Sequence, residues 1–424
     1  MTGTTQRSPS GQRSWARLAL TLGQLALMGT SLVFSLSLGY AGGLSAVGAT
    51  APAMLVFQLT CGVLQRSLAE ATLLSGAHAE RVAERTDCQR SVAAAFTGGL
   101  AGAGVAVASA LAVPGGSIEL AVAYAAGIPF AIALDIGRAA GVAAGAARSV
   151  FVETAAWLAA QLTLMTVFAA AHAPRCVCLS WAAVNVAFLL ASTRQPYRRP
   201  VFTGLVAWLR SRREVMGAAS LDALLVGLTP VLALQATAFV AGAATLGVIR
   251  IVQQLFAPLA FVSITFRRVL VYQRKAEVRT TSRQDFRDGA LALALMTAGA
   301  VVLGVAVIVG RNLVPALSFV PVGTVLFAAG LEKAALGFSY GCSLSSFVRG
   351  DFDLLLRSRY VMLGLTVLAA PLLTAALGAP GYLVASGAGM LVYSVAVLAL
   401  PAGHSPQSTV VGPAAELSGS DRLV

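Results

Sequence analysis

The sequence has few charged residues and few of the side chains that build metal centres or nucleophilic active sites. Charged residues make up 11% of the 424 residues, and there are only three histidines and five cysteines. Hydrophobic residues make up 57%, and the mean hydropathy is +0.80. Because a soluble domain normally carries about 25% charged residues, this composition indicates a polytopic membrane protein.

The residues that several enzyme classes need are also missing. His172, Cys176 and Cys178 lie close together in the sequence, but a zinc site needs about four ligands, and a disulfide between cysteines two residues apart would be strained. There is no glycine-rich phosphate loop of the Walker type. The loops expected outside are too short to bind an acceptor between paired carboxylates, as a membrane glycosyltransferase would. We therefore expect no enzyme, no metal and no bound cofactor.

The formal net charge of +13 is spread over short clusters that separate apolar runs. This distribution is typical of membrane topology and excludes nucleic acid as a partner. All basic residues except Lys275 and Lys333 are arginine, a usage typical of GC-rich bacterial genomes.

Twelve apolar segments are long enough to cross a bilayer, which takes about 20 residues. The sequence therefore predicts an all-α protein with twelve transmembrane helices in two six-helix lobes, 15–193 and 215–402, joined by a basic cytosolic linker, 194–214. Disordered cytosolic tails are expected at 1–14, which has no signal-peptide pattern, and at 403–424. The segments run over residues 16–38, 44–68, 91–113, 118–140, 150–172, 176–193, 215–237, 243–270, 289–310, 316–346, 359–378 and 381–402.

The positions of the arginines predict the orientation. With the N-terminus in the cytosol, the basic clusters fall on the cytosolic side, and the outside loops hold only Arg175 and Arg311. Because positive residues are retained inside, both termini are expected in the cytosol.

The second segment of each half opens with a similar glycine-containing run. Ala41–Gly48 reads AGGLSAVG and Ala241–Val248 reads AGAATLGV. A repeat of six helices keeps both halves in the same orientation and relates them by an axis along the membrane normal. We expect a cavity on that axis, between the halves.

A polar face interrupts the eighth segment. Arg250, Gln253 and Gln254 share one side of a helix by their i, i+3, i+4 spacing. A charge in the membrane costs about 2.5–3.5 kcal/mol on insertion scales unless it faces protein or water. Arg250 either extends to the lipid headgroups or lines a polar cavity between the two halves.

Three more ionisable residues lie inside predicted spans. Glu332 and Lys333 are adjacent in the tenth segment, point about 100° apart, and so are not expected to neutralise each other on one face. Either at least one of them faces the cavity, or they form a structural pair with another helix. Asp222 is the only acid in the seventh segment, with Arg250 or Lys333 as its candidate partner. Such a pair is a gate, a proton or sodium site, or a static lock.

Other polar residues have two interpretations. Gln58 shares a face of the second segment with Gln65, and such amides suit sugar hydroxyls as well as helix–helix hydrogen bonds. Asp135 and Arg138 are one turn apart, and Arg66 ends the second segment. These are interface ion pairs and anchors or parts of a cytosolic gate.

A family resemblance emerges from these patterns. The six-plus-six helices, the run Leu246–Gln254 with Pro258 after it, and Asp135 and Arg138 followed by Glu153, Trp157 and Gln161 at four-residue spacing resemble the polysaccharide-transporter branch of the multidrug/oligosaccharidyl-lipid/polysaccharide exporter superfamily. The resemblance implies a V-shaped bundle of two lobes that alternates between inward and outward openings.

The resemblance implies a flippase or exporter of a lipid-linked oligosaccharide or polysaccharide precursor in the bacterial cytoplasmic membrane. Arg250 and Lys333 would hold phosphate or an acidic sugar, and Gln253, Gln254 and Gln58 would contact the sugar. The coupling or gating residues would be Asp222, Glu332, Arg66, Asp135 and Arg138, with Na⁺ or H⁺ as the coupling ion.

The partners implied are membrane lipids, the lipid-linked glycan and enzymes of polysaccharide biosynthesis. The alternative is a cation-coupled multidrug antiporter, whose cavity would be acidic; the lack of an acid in the first segment weakens that alternative. A membrane scaffold that recruits enzymes is the third candidate, and it would need no buried ionisable groups.

Overall fold

The computed structural model describes residues 9–69, 81–260, 262, 282–314, 317–344, 346 and 352–399. These residues form helices joined by turns, with no strand among them, plus a π-helical turn Gln65–Ala69 and a 3₁₀ turn Pro196–Arg198. The helices are α1 Pro9–Leu64, α2 Arg81–Leu111, α3 Ile118–Ala125, α4 Ile128–Ala143, α5 Ala147–Ala170, α6 Pro174–Ser192, α7 Leu205–Ser211, α8 Arg213–Leu255, α9 Ser282–Leu313, α10 Thr324–Cys342, α11 Phe352–Leu377 and α12 Ala379–Ala399.

The helix boundaries correct one prediction and leave others open. α1 begins at Pro9, inside the stretch 1–14 that the sequence predicts to be a disordered tail. The predicted tail 403–424 lies outside the described residues. Within the predicted linker 194–214, the chain forms the 3₁₀ turn and the short helix α7.

Nine helical stretches among the described residues are long and apolar enough to cross a membrane. Two of them, Thr21–Leu68 and Ala223–Leu255, continue across a kink, and each combines two of the predicted segments. α10, which carries Glu332 and Lys333, is not among the nine. The architecture is the all-α membrane-type bundle expected, while the count of twelve crossings stays a prediction.

Both long helices are interrupted at a glycine. Gly43 in α1 has φ 73° and ψ −177°, and Gly242 in α8 has φ 68° and ψ 171°. This conformation is essentially restricted to glycine. The two kinks place Gly43 opposite Gly242 in the internal repeat, so the register that sets Gly42 beside Gly242 is wrong by one residue.

The halves meet backbone to backbone just after these kinks. A Cβ added to Gly48 would lie 1.6 Å from the carbonyl oxygen of Ala243, and one added to Gly247 would lie 1.9 Å from that of Leu44. In the register set by the kinks, Gly48 corresponds to Gly247 and Leu44 corresponds to Ala243. The two contacts are therefore equivalent, as an approximate two-fold axis requires. Only glycine allows helices this close, so Gly48 and Gly247 fix where the halves touch.

Aromatic packing joins the helices of the first half. Tyr124 of α3 stacks on Trp181 of α6 with ring centroids 4.4 Å apart, and Phe34 and Phe57 from the two arms of α1 pack against this pair. Such aromatic pairs contribute about 0.5–1.5 kcal/mol each beyond their buried area. They hold α1 in a fixed position against its own half.

Candidate functional site

A cavity of about 480 Å³ lies between the two halves. Its walls come from α1 and the π-helical turn, α8 and the residues after it, α10, α11 and α12. The predicted residues that line it are Gln58, Arg250, Gln253, Gln254, Glu332 and Lys333. All five predicted substrate contacts therefore face one space, in the position that the internal repeat predicts.

Arg250 is buried within the protein rather than extended to the membrane surface. It is 2% exposed, and it lines the cavity with Gln253 and Gln254. With the Gln254 amide turned so that its oxygen faces the guanidinium, this oxygen accepts hydrogen bonds from Arg250 Nη2 at 2.6 Å and Nε at 3.3 Å. Of the two interpretations of this polar face, the geometry supports the cavity.

Arg250 has neutral rather than acidic partners among the described side chains. The carboxylate ion pairs of these residues involve other cations, and the guanidinium contacts the amide oxygen of Gln254. A buried cation that has no carboxylate partner among the described side chains attracts an anion strongly, because few water molecules screen it.

Glu332 and Lys333 form an ion pair, which corrects the expectation that their 100° separation keeps them apart. Lys333 Nζ lies 3.1 Å from Glu332 Oε2, because the flexible four-carbon stem of lysine reaches back to the adjacent carboxylate. The other carboxylate oxygen, Oε1, accepts hydrogen bonds from Ser386 Oγ at 2.8 Å and Gln253 Nε2 at 3.3 Å. Glu332 is thereby held by α8, α12 and its own helix.

Arg359 is a cavity residue that was not among the predicted site residues. It is 6% exposed, it lines the cavity, and its guanidinium lies 4.0 Å from the ring centroid of Tyr393. The predicted eleventh segment began at this arginine, whereas α11 begins at Phe352. The earlier start places Arg359 about two turns inside the helix, on a face that turns inward.

The described charged residues that line the cavity are three cations and one carboxylate, a net charge of +2. The cations are Arg250, Lys333 and Arg359, and the carboxylate is Glu332. A cleft with low-dielectric walls concentrates the field of such a cluster. The cavity therefore favours an anionic ligand.

Serine and threonine side chains add neutral polar groups to the lining. Ser31, Thr229 and Thr366 line the cavity, and Thr229 donates to the carbonyl oxygen of Leu225 at 3.0 Å. Hydroxyl groups bonded to their own helix are common in membrane helices. For that reason the spacing of serine and threonine in the sequence does not predict which of them line a cavity.

Asp135 and Arg138 belong to a separate polar cluster inside the first half. Asp135 Oδ2 accepts a hydrogen bond from Gln65 Nε2 at 2.5 Å. Arg138 Nε lies 3.8 Å from Glu153 Oε1, and its guanidinium lies 4.5 Å from the ring centroid of Trp157. Gln65, which contacts Asp135, also lines the cavity.

Helix contacts also account for other residues of the sequence motif. Glu153 pairs with the fully buried Arg198, Trp157 Nε1 donates to Asn185 Oδ1 at 3.1 Å, and Gln161 Nε2 donates to the carbonyl oxygen of Trp181 at 3.2 Å.

Two predicted residues lie elsewhere or cannot be placed. Arg66 is half-buried in the π-helical turn and does not line the cavity. The backbone of Asp222 belongs to α8, but its side chain is outside the described part of the structure. Within the described residues, no three His, Cys, Asp or Glu side chains come together as a metal site requires.

Comparison with known proteins gives matches in structure and none in sequence. No family model and no curated protein sequence matches the chain. The chain is similar to "Lipid II flippase MurJ, inward closed conformation", with a TM-score of 0.67 and 10% identity over 89% of this chain and 87% of that one.

Two multidrug transporters are similar as well. One is described as the inward-facing conformation of a multidrug resistance MATE family transporter of the MOP superfamily, with a TM-score of 0.62 and 13% identity over 90% and 96% of the two chains. The other is the Vibrio cholerae MATE transporter VcmN, with a TM-score of 0.50 and 14% identity over 92% and 96%. This chain therefore has the fold of the multidrug/oligosaccharidyl-lipid/polysaccharide exporter superfamily, as its sequence resemblance implied.

Proposed function

We propose that this chain is an alternating-access transporter that flips an anionic, lipid-linked glycan precursor across the bacterial cytoplasmic membrane. The observation that carries the proposal is the net charge of +2 that the described lining residues give to a cavity between the two halves of an exporter fold. Lipid-linked sugars carry phosphate or pyrophosphate, so the headgroup that the cavity would bind is anionic. The flippase with a similar fold supports this choice.

The cations and amides of the cavity have separate roles in this proposal. Arg250, Lys333 and Arg359 bind phosphate or acidic sugar groups, since guanidinium pairs bidentately with phosphate oxygens. Substrate oxygens replace the amide oxygen of Gln254 on the Arg250 guanidinium. Gln58, Gln253 and Gln254 then present donors and acceptors to sugar hydroxyls.

The glycine contact sets the direction of loading. With both termini in the cytosol, the kinks at Gly43 and Gly242, inside α1 and α8, lie on the outer side of the membrane. Closure at Gly48 and Gly247 then seals the outer side, and substrate enters from the inner leaflet. Parting of the two helices at these glycines releases it outward.

The coupling residues remain those that the sequence suggested. Asp222, Glu332, Arg66, Asp135 and Arg138 are the proposed coupling or gating groups, with Na⁺ or H⁺ as the ion. Glu332 has the best position among them, because it is the described carboxylate that lines the cavity.

The second candidate is a cation-coupled multidrug antiporter, which two similar structures favour. A cationic drug would enter a cavity that carries a net charge of +2, and like charges repel strongly in a low-dielectric cleft. The flippase function is therefore preferred.

Deletion of the gene in its own host tests the choice. We expect a polyprenyl-linked oligosaccharide to accumulate and a surface polymer to be lost, as measured by lipid extraction and glycan analysis. Unchanged glycolipids together with new sensitivity to cationic drugs would support the antiporter instead. Substitutions that neutralise only the charges of the cavity separate a transporter from a scaffold. If the protein is a scaffold, these variants should show neither glycolipid accumulation nor drug sensitivity.

A further inference from the structure

We infer that Glu332 is a proton-binding site that is loaded when an anionic substrate draws Lys333 away. The inference rests on the proposed function, and it identifies how substrate binding is coupled to a cation. Its basis is the contact set of Glu332 among the described residues: one cation, Lys333, at 3.1 Å and two neutral donors, Ser386 and Gln253.

Lys333 can pair with Glu332 or with an anion bound in the cavity, but not fully with both at once. Its ammonium group neutralises Glu332, and it also lines the cavity together with Arg250 and Arg359. A phosphate oxygen in that cavity competes with the carboxylate for the same ammonium group. When the ammonium group of Lys333 pairs with the substrate, Glu332 keeps only its hydrogen bonds from Ser386 and Gln253.

An ionised Glu332 that has lost its ion pair with Lys333 is energetically unfavourable. Glu332 is 2% exposed, and burial of a carboxylate without a cation is relieved by uptake of a proton. A proton from the bulk solution converts the carboxylate to a neutral carboxyl group, and no other atom is transferred. Ser386 Oγ and Gln253 can still hydrogen-bond the carboxyl group, since both residues offer acceptors as well as donors.

Within the part of the chain that the structure describes, Lys333 is the cation at ion-pair distance from Glu332. The titratable groups facing it are Lys333 on α10, Tyr382 on α12 and, further along the cavity, Arg250 on α8 and Arg359 on α11. α9 packs on α10 through Ala292, Met296 and Ala300, and the sequence from 289 to 309 contains no ionisable residue. An anion that binds the cavity also engages the two arginines, so their positive charge is shared with the substrate.

The first experiment measures the proton directly, with UDP-N-acetylglucosamine as a water-soluble sugar pyrophosphate diester whose own charge is constant around neutral pH. Calorimetric titration of the detergent-purified protein in buffers of different ionisation enthalpy gives the number of protons exchanged. We expect uptake of about one proton for each molecule bound, and affinity that tightens up to about tenfold for each unit fall in pH. Glu332→Gln should bind without proton uptake, and Arg175→Gln, which removes an exposed cation, should behave like the wild type.

Binding without proton exchange in the wild type would overturn the inference while leaving the anion-binding function intact. The absence of any binding would instead count against the proposed function, and this inference would fall with it.

The second experiment needs no ligand. Lys333→Gln removes the cation permanently, so an infrared band from the C=O stretch of a protonated carboxyl group should appear at neutral pH. The double variant Glu332→Gln, Lys333→Gln should lack that band. A Lys333→Gln spectrum identical to that of the wild type would refute the dependence of Glu332 on Lys333.

Discussion

The two halves of the molecule share a backbone contact but differ in where they keep their charges. Gly48 and Gly247 make reciprocal contacts across the boundary. In the first half, Arg138 and Arg198 both lie against Glu153 inside the lobe. In the second half, the cations Arg250, Lys333 and Arg359 face the cavity together with a single carboxylate.

The wall that each half contributes to the cavity shows the same difference. The described lining residues from the first half all lie on α1 and the turn after it, and none of them carries a charge. The second half supplies every described charge of the lining, from α8, α10 and α11. The comparison indicates that the glycine contact follows the repeat, whereas all described charges of the cavity lining come from one half.

A glutamine–carboxylate pair occurs in both halves at different depths. Gln65 donates to Asp135 at 2.5 Å and Gln253 donates to Glu332 at 3.3 Å, and in each half the carboxylate belongs to the fourth predicted segment. Measured from the kinks, Gln253 lies about three turns closer to the glycine than Gln65 does. The second pair therefore lines the cavity with both members, and the first with its glutamine alone.

The largest expected effect is on the stability of the first half. Glu153→Gln leaves Arg138 and Arg198 buried without their shared carboxylate, and breaking a buried pair costs about 3–5 kcal/mol. The free energy of unfolding in detergent, measured by denaturant titration, should fall by that amount. The control Glu119→Gln removes an exposed carboxylate that pairs with Arg175 and should change stability by no more than about 1 kcal/mol. Equal losses in both variants would contradict the structural role of the cluster.

The corresponding change in the second half should affect transport instead. Arg250→Ala removes charge-assisted hydrogen bonds to the substrate, worth about 1.5–3 kcal/mol, so transport should fall roughly tenfold to a hundredfold. Complementation of the deletion strain, with the protein quantified in the membrane, measures both quantities. If protein abundance falls as far as transport, Arg250 is structural and the contrast between the halves disappears.

The shared glycine contact should respond equally from either side. Gly48→Ala and Gly247→Ala each place a Cβ within 2 Å of a backbone carbonyl oxygen of the other half, and overpacking of this kind costs about 1–3 kcal/mol. Both variants should favour the state in which the halves part at this point, seen as increased labelling by impermeant thiol reagents of cysteines placed nearby on the outer side.

Gly29→Ala is the matched control for the glycine variants, because a Cβ there meets no atom within 4 Å. An effect of Gly48→Ala without one of Gly247→Ala would show that the approximate two-fold relation is not functional.

The sequence predicted three of the four described charged residues of the cavity lining, because a buried charge in a membrane helix has a physical cost. An arginine and two glutamines on one face of an apolar helix are costly unless they face a polar space, so Arg250, Gln253 and Gln254 were found. Glu332 and Lys333 were found for the same reason, but their pairing was missed, because side-chain flexibility does not follow helical angles. Arg359 was missed because an arginine near a predicted helix end is indistinguishable from a topology signal until the helix start is known.

The internal repeat was recognisable from sequence, but its register was not. Glycine-rich runs can be aligned in several ways, and only the positive φ angles of Gly43 and Gly242 select one. The reciprocal approach of Gly48 and Gly247 depends on helix geometry across the two halves, which no local pattern contains. Sequence therefore predicted that the halves are related, and the structure located the contact.

The smallest expected effect concerns the support of Glu332. Ser386→Ala removes one hydrogen bond of 2.8 Å to Oε1, while Gln253 and Lys333 keep their contacts, so the cost should be about 0.5–1.5 kcal/mol. Gln65→Met removes the only hydrogen bond described for the side chain of Asp135 and should cost more, about 1–3 kcal/mol, because a partly buried carboxylate loses its donor. Comparison of the two unfolding free energies tests whether the second half surrounds its carboxylate with redundant partners. A larger loss for Ser386→Ala would mean that the carboxylate at the cavity, rather than the one inside the first half, is the more weakly supported of the two.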